Sequence, residues 1–140
     1  MPPVIVDTNV VVAGLLTRRA DSPVARLLDG MVSGTVVFVL SEALLAEYRA
    51  VLLRPRIVRA HGLTEAEIDT LLTQLAQHAI VLAPPAAAVP APDAGDQLLW
   101  ELLACRPDLV LITGDAALLG DAAMHPRVVT PADWLAAHSA

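Results

Sequence analysis

The sequence predicts an α/β fold: a mostly parallel β-sheet covered on both faces by helices. Short runs rich in β-branched residues, such as VIV at 4–6, TVVFVL at 35–40 and LVLIT at 109–113, are apolar at consecutive positions. A strand with one face in water would alternate with polar residues, so these runs read as strands buried on both sides. Between them lie stretches with helix caps and apolar residues three and four apart, which gives the alternation of strand and helix that favours parallel pairing. The length of 140 residues fits one domain over 1–140, and no internal repeat interrupts it.

Each element has its own signal. PPVIVD at 2–7 is the first strand. SPVARLLDGMVSG at 22–34 is a helix capped by Ser22, with Pro23 in the first turn, Val24, Leu27, Leu28 and Met31 on one face, and Gly34 as its stop. The strand TVVFVL runs directly into SEALLAEYRAVLLRP, a helix that Ser41 can cap and that cannot continue normally through Pro55. In LTEAEIDTLLTQLAQHA at 63–79, Thr64 and Glu67 form a capping box, and Ile68, Leu71, Leu72, Leu75 and Ala79 make an apolar stripe; nothing chemical sits on this helix. A short strand AIVLA follows, and then the extended connection PPAAAVPAP at 84–92. A helix near 95–105, the strand LVLIT, a short helical turn, the strand RVVT and a last helix opened by Pro131 complete the chain.

Composition narrows the function. Hydrophobic residues make up 56% of the chain, but the aromatics are only Phe38, Tyr48, Trp100 and Trp134, so the core must be aliphatic, with both tryptophans inside it. The apolar excess predicts self-association as a dimer. One cysteine, Cys105, excludes an internal disulfide, and four scattered histidines lack ligand spacing. With no basic leader and no long apolar run, the expectation is a cytoplasmic protein without a membrane contact. The net charge of -6 argues against a general nucleic-acid coat, but carboxylates filled by divalent cations change sign locally. All nine basic residues are arginine, which excludes any mechanism that needs lysine.

The chemistry lies in acids at the ends of buried elements. VIVD ends in Asp7 and LVLITGD in Asp115; if their strands are neighbours, both carboxylates point into one crevice beyond the carboxyl edge of the sheet. Each alone reads as a cap or turn residue. Glu47 sits between Leu44 and Val51 on the apolar stripe of its helix, where a merely solvated charge would not be placed. Glu42 is explained by the dipole of the same helix and receives no function. In PDAGDQLLWELL, Asp93 is a cap, and Asp96 either supports the first turn or joins the other acids at the sheet edge. Carboxylates gathered in this way repel one another unless a cation neutralises them, and all-oxygen ligands suit Mg²⁺ or Mn²⁺.

The segments VIVDTNVVVAGLL, LLAEYRAVLLRP, DAGDQLLWELLA and LVLITGDAALL, in this order, resemble the PIN-domain family, in particular its bacterial branch of toxins from toxin–antitoxin systems, the VapC-like ribonucleases. The resemblance implies an α/β/α sandwich that hydrolyses single-stranded RNA with one or two Mg²⁺ or Mn²⁺ ions held by Asp7, Glu47, Asp96 and Asp115. Asn9 and Thr113 would be polar supports, Asp93 could supply a further charge, and an antitoxin-like protein would be the partner. Relatives commonly carry another acid where this chain has Ala117, and a proline where it has Ala94. Those departures bear on metal number and rate more than on reaction type. Arg49, Arg54, Arg56 and Arg59 are candidates for holding the backbone of single-stranded or structured RNA, with a solvated rim as the alternative.

Two other enzyme readings meet obstacles in the residues. A receiver-like phosphotransfer domain needs a lysine, and a haloacid-dehalogenase-like site expects an acid at position 9, which is asparagine. A non-catalytic PIN-fold module that binds RNA or an antitoxin-like protein remains open.

Overall fold

A computed structural model describes residues 2–85, 90–91, 93–121, 124 and 127–138. The elements are β1 (Val4–Val6), α1 (Thr8–Leu16), α2 (Pro23–Ser33), β2 (Val39–Leu40), α3 (Glu42–Leu52), α4 (Pro55–His61), α5 (Glu65–His78) and β3 (Ile80–Val81). After a single 3-10 turn (Ala94–Asp96) come α6 (Gln97–Leu103), β4 (Val110–Ile112), α7 (Ala116–Leu119), β5 (Val128–Val129) and α8 (Pro131–His138). Much of the proline-rich connection, and His125, lie outside the described residues.

Every strand pairing among the described residues is parallel. β1 pairs with β4 in the register Val4–Val110, Ile5–Leu111, Val6–Ile112, and β4 pairs with β5 through Leu111–Val128 and Ile112–Val129. β2 pairs with β3, and a bridge from Val4 to Phe38 joins this pair to β1. The strands therefore follow the order β3-β2-β1-β4-β5, and the direction of progression reverses between β1 and β4. In an open parallel sheet, the gap above such a reversal is where ligands bind.

Val4, Ile5 and Val6 are all 0% exposed, although neighbouring side chains of a strand point to opposite faces, so both faces of β1 are covered. Burying each side chain of this size contributes about 1.5–3 kcal/mol, and these residues belong to one core with Phe38, Tyr48, Trp100, Leu111, Ile112 and Trp134. The tryptophans lie inside it, as the sequence suggests.

The helix starts follow local chemistry. Ser22 accepts from the Ala25 N–H, Ser41 accepts from the Leu44 N–H, and Thr64 and Glu67 complete a capping box. Gly34 ends α2 at φ 83°, a conformation that glycine adopts freely. The chain breaks at Pro55 as expected, but Pro55 then opens a further helix, α4, where a missing N–H costs nothing.

Two further features differ from the sequence reading. The expected strand 35–40 shrinks to β2 and the Phe38 bridge, because the Val36 N–H is still held by the Gly30 carbonyl at 3.0 Å in the turn leaving α2. Residues 8–16 form α1, a helix without an amphipathic signal: Val10, Val11 and Val12 are all buried, so no polar face marks its period. Gly14 brings α2 close to α1; a Cβ there would meet the Val24 carbonyl oxygen at 2.6 Å.

Candidate active site

Asp7 is the first residue beyond β1. Its N–H prolongs the ladder to the Ile112 carbonyl at 3.0 Å, and its own carbonyl accepts from Val10 and Val11 as α1 begins. The position is that of a cap, yet the side chain makes no capping bond. Instead, the hydroxyl of Thr113, at the end of β4, donates to Asp7 Oδ2 at 2.7 Å across the β1–β4 junction. Asp7 is 6% exposed and Thr113 is 0% exposed. The same Thr113 oxygen accepts from the Asp115 N–H at 3.0 Å, which ties both strand-end acids to one hydroxyl.

Asp115 opens α7, where its Oδ1 accepts from the Ala117 N–H at 2.8 Å. Glu47 reaches the same edge from α3: it is half-buried, and its Oε2 accepts from the Thr8 hydroxyl. Asp96 ends the 3-10 turn before α6, and α6 packs on β1 and β4. Asp96 is half-buried and makes no capping bond, whereas Asp93 caps the turn by accepting from the Gly95 N–H at 2.8 Å. The two aspartates of this turn thus divide into a cap and an acid without a local partner.

Electrostatics ties the four together. The Asp96 carboxyl is pushed up to about 6, first by desolvation and then by the charges of Asp7, Asp115, Asp93 and Glu47. Asp7 is also raised: burial dominates, the Thr113 hydrogen bond opposes it, and the Glu47 charge adds to it. Acids from four separate segments therefore act on Asp96 through one field. A cleft lined by Ser41, Glu42, Val81 and Glu101 includes none of the four acids.

The donor set is all oxygen, four carboxylates with threonine hydroxyls, which fits Mg²⁺ or Mn²⁺ and not a soft metal. Among the described residues no three acid, histidine or cysteine side chains are grouped to hold a single ion. Mg²⁺ is usually bound through one or two carboxylates with several waters retained, so a looser group of acids suits it.

The remaining candidates separate. Asn9 lies in the first turn of α1 and is exposed. The Arg49 guanidinium is engaged by Asp69 at 2.9 Å and Glu65 at 2.5 Å, both on α5, which gives it a role in joining α3 to α5 and makes it a poor phosphate ligand. Arg54, Arg56 and Arg59 are exposed along α4.

Sequence reasoning passed over Thr8 and Tyr48. Tyr48 is wholly buried, and its hydroxyl donates to the Val6 carbonyl. Burial, with Asp7 and Glu47 nearby, holds its phenol well above the usual range, so it stays a donor. Neither residue carries a local signal; the one hint is that each adjoins an acid already singled out.

A family model described as PIN domain matches residues 3–117, a span that contains all four acids. No curated protein and no solved structure matches the chain.

Proposed function

The chain belongs to the PIN-domain family, whose members are generally metal-dependent nucleases, and on that premise we propose that it is an endoribonuclease that hydrolyses single-stranded RNA with Mg²⁺ or Mn²⁺. Asp7, Glu47, Asp96 and Asp115 would hold the ion, directly or through its waters. The observation that carries this reading is the convergence of four acids from β1, α3, the turn before α6 and the end of β4, with the charges of Asp7, Glu47 and Asp115 all bearing on Asp96.

When bound, the divalent ion neutralises the crowded acids and offers positive charge to the phosphodiester. The chain's own part is placement. Thr113 fixes one oxygen of Asp7, Thr8 fixes one of Glu47, and the Ala117 N–H fixes one of Asp115. Glu47 Oε1 and Asp115 Oδ2 accept no hydrogen bond among the described residues, so each is left for an ion or its waters. The exposed Arg54, Arg56 and Arg59 lie on α4, which packs against α1 and α3, and they would hold the RNA backbone beyond the acids.

In its finer form the proposal is a single PIN domain over residues 1–140 acting as a VapC-like toxin, dimeric, cytoplasmic and restrained by an antitoxin-like protein; the motif resemblance and apolar excess support it. No helix among the described residues is long and apolar enough to cross a membrane. The competing reading, a PIN module that binds without cutting, is favoured by the lack, among the described residues, of a three-acid group on one ion.

Cleavage of a mixed single-stranded RNA, followed with Mn²⁺ and with EDTA, decides between the two. The nuclease reading expects cutting that needs Mn²⁺ and is lost in Asp7→Asn; intact RNA bound equally well in both conditions supports the binding module.

A further inference from the structure

Among the described residues the pairing between β1 and β2 is the bridge from Val4 to Phe38. Nearer the acid edge, Tyr48 takes a carbonyl of β1 instead. Its ring is fully buried, and its hydroxyl takes the carbonyl of Val6, the last residue before Asp7. The neighbouring residue on α3 is Glu47, whose carboxylate accepts from Thr8, the residue after Asp7. Two hydroxyl contacts therefore join 47–48 on α3 to 6–8 around Asp7, one from each side and in opposite directions: α3 donates in one and accepts in the other.

We infer that Thr8 and Tyr48 are positioning residues, a paired brace that sets the Glu47 carboxylate against Asp7. The inference rests on the nuclease reading for its purpose, though not for its geometry. A half-buried glutamate on a helix has three side-chain torsions to fix, and repulsion from Asp7 drives it outward. The Thr8 hydroxyl opposes that drift at the carboxylate, and Tyr48 opposes it at the helix, since α3 cannot slide along β1 without leaving the Val6 carbonyl unpaired in the core. Hydroxyls suit this task because they restrain a carboxylate without cancelling its charge.

The test uses Thr8→Val, which keeps shape and removes the hydroxyl, Thr8→Ser, which restores it, and Tyr48→Phe. Mn²⁺ affinity is read by electron paramagnetic resonance and single-turnover RNA cleavage is read alongside. Thr8→Val is expected to weaken Mn²⁺ binding and slow the cleavage rate about 10–100-fold, the range typical for losing a partner behind a metal ligand, with the KM for RNA unchanged and Thr8→Ser close to wild type. Tyr48→Phe is expected to show the same pattern. Thr8→Val with wild-type affinity and rate would overturn the brace, as would a loss that Thr8→Ser fails to recover.

A metal-free measurement separates this result from failure of the nuclease reading. In EDTA, the melting-temperature changes of Thr8→Val and Glu47→Gln should not add in the double variant if the two side chains are coupled. If the wild type neither binds Mn²⁺ nor cuts RNA, the nuclease reading fails, and non-additive shifts still support the brace. Additive shifts overturn it, whatever the activity.

Discussion

At the ends of β1 and β2 the chain passes straight into a helix, and it does so in opposite ways. At the end of β2, Ser41 caps α3 by accepting from the Leu44 N–H at 3.1 Å, which satisfies an otherwise unpaired donor. At the end of β1, Asp7 occupies the same position before α1, yet its carboxylate turns away from the helix to the Thr113 hydroxyl. Ser41 stabilises its helix locally. Asp7 leaves that stabilisation unused, and burial holds its carboxyl above the ordinary range. The contrast separates a residue kept for the fold from one kept at a cost to it.

The sharpest way to break this comparison is to remove the charge of Asp7. Asp7→Asn should reduce Mn²⁺-dependent RNA cleavage by more than the roughly 10–100-fold expected for a supporting partner, while raising the melting temperature in EDTA because a buried, repelled charge is gone. The same variant should lose most of the stabilisation by Mn²⁺, which for a single site amounts to about 2.7 kcal/mol at a hundredfold excess over Kd. Four melting curves, wild type and variant with EDTA and with Mn²⁺, test this. Equal metal-induced shifts would mean that Asp7 is not a ligand.

A pH series comes next in size. A carboxyl raised in the fold favours the protonated protein, so its contribution is complete below the ordinary value of 3.8 and is lost as pH rises through the folded value, which for Asp96 is about 6. Asp7 is raised as well and acts in the same direction. In EDTA the melting temperature of the wild type, compared with that of Asp96→Asn, should fall between pH 4 and 7; with Mn²⁺ the difference should flatten. A constant difference in EDTA would show that Asp96 does not sit in the field of the other acids.

Ser41→Ala sharpens the other side. It should cost about 1 kcal/mol of stability in either condition, the usual loss for an N-cap, with the metal-induced shift intact. The smallest effect belongs to the arginines. Arg56→Ala should raise the KM for RNA and lower its salt dependence, because an exposed phosphate contact is lost. Arg49→Ala, whose partners are Asp69 and Glu65, should leave that salt dependence unchanged. Equal effects from both would return Arg49 to the RNA surface.

The same comparison explains what could be read from residues alone. Ser22, Ser41 and Thr64 act within three residues of their own position, and such caps are visible in the sequence because their partners are adjacent in it. The Asp7–Thr113 and Thr8–Glu47 contacts span 106 and 39 positions. The acids at their centre were still legible, since a carboxylate on a buried stripe or strand end needs an explanation. Their neutral partners were not: threonine and tyrosine are ordinary residues for a core, and only the assembled fold gives them direction. Thr113 stood out through family resemblance, while Thr8 and Tyr48 had no such aid. α1 escaped notice because its apolar residues run consecutively and give no periodic contrast.

Strand order also bears on when the site comes into being. β1 is made first, but β4, which lies against it in the sheet, is made 106 residues later, counting from Val4 to Val110. While a ribosome works through the intervening chain, Asp7, Glu47 and even Asp96 can be present without Thr113 to orient the first of them or Asp115 to complete the set. A nascent chain therefore lacks the complete site throughout most of its synthesis. If the chain cuts RNA as proposed, this delay is protective, because the chain cannot acquire its full set of acids until most of its own message has been read.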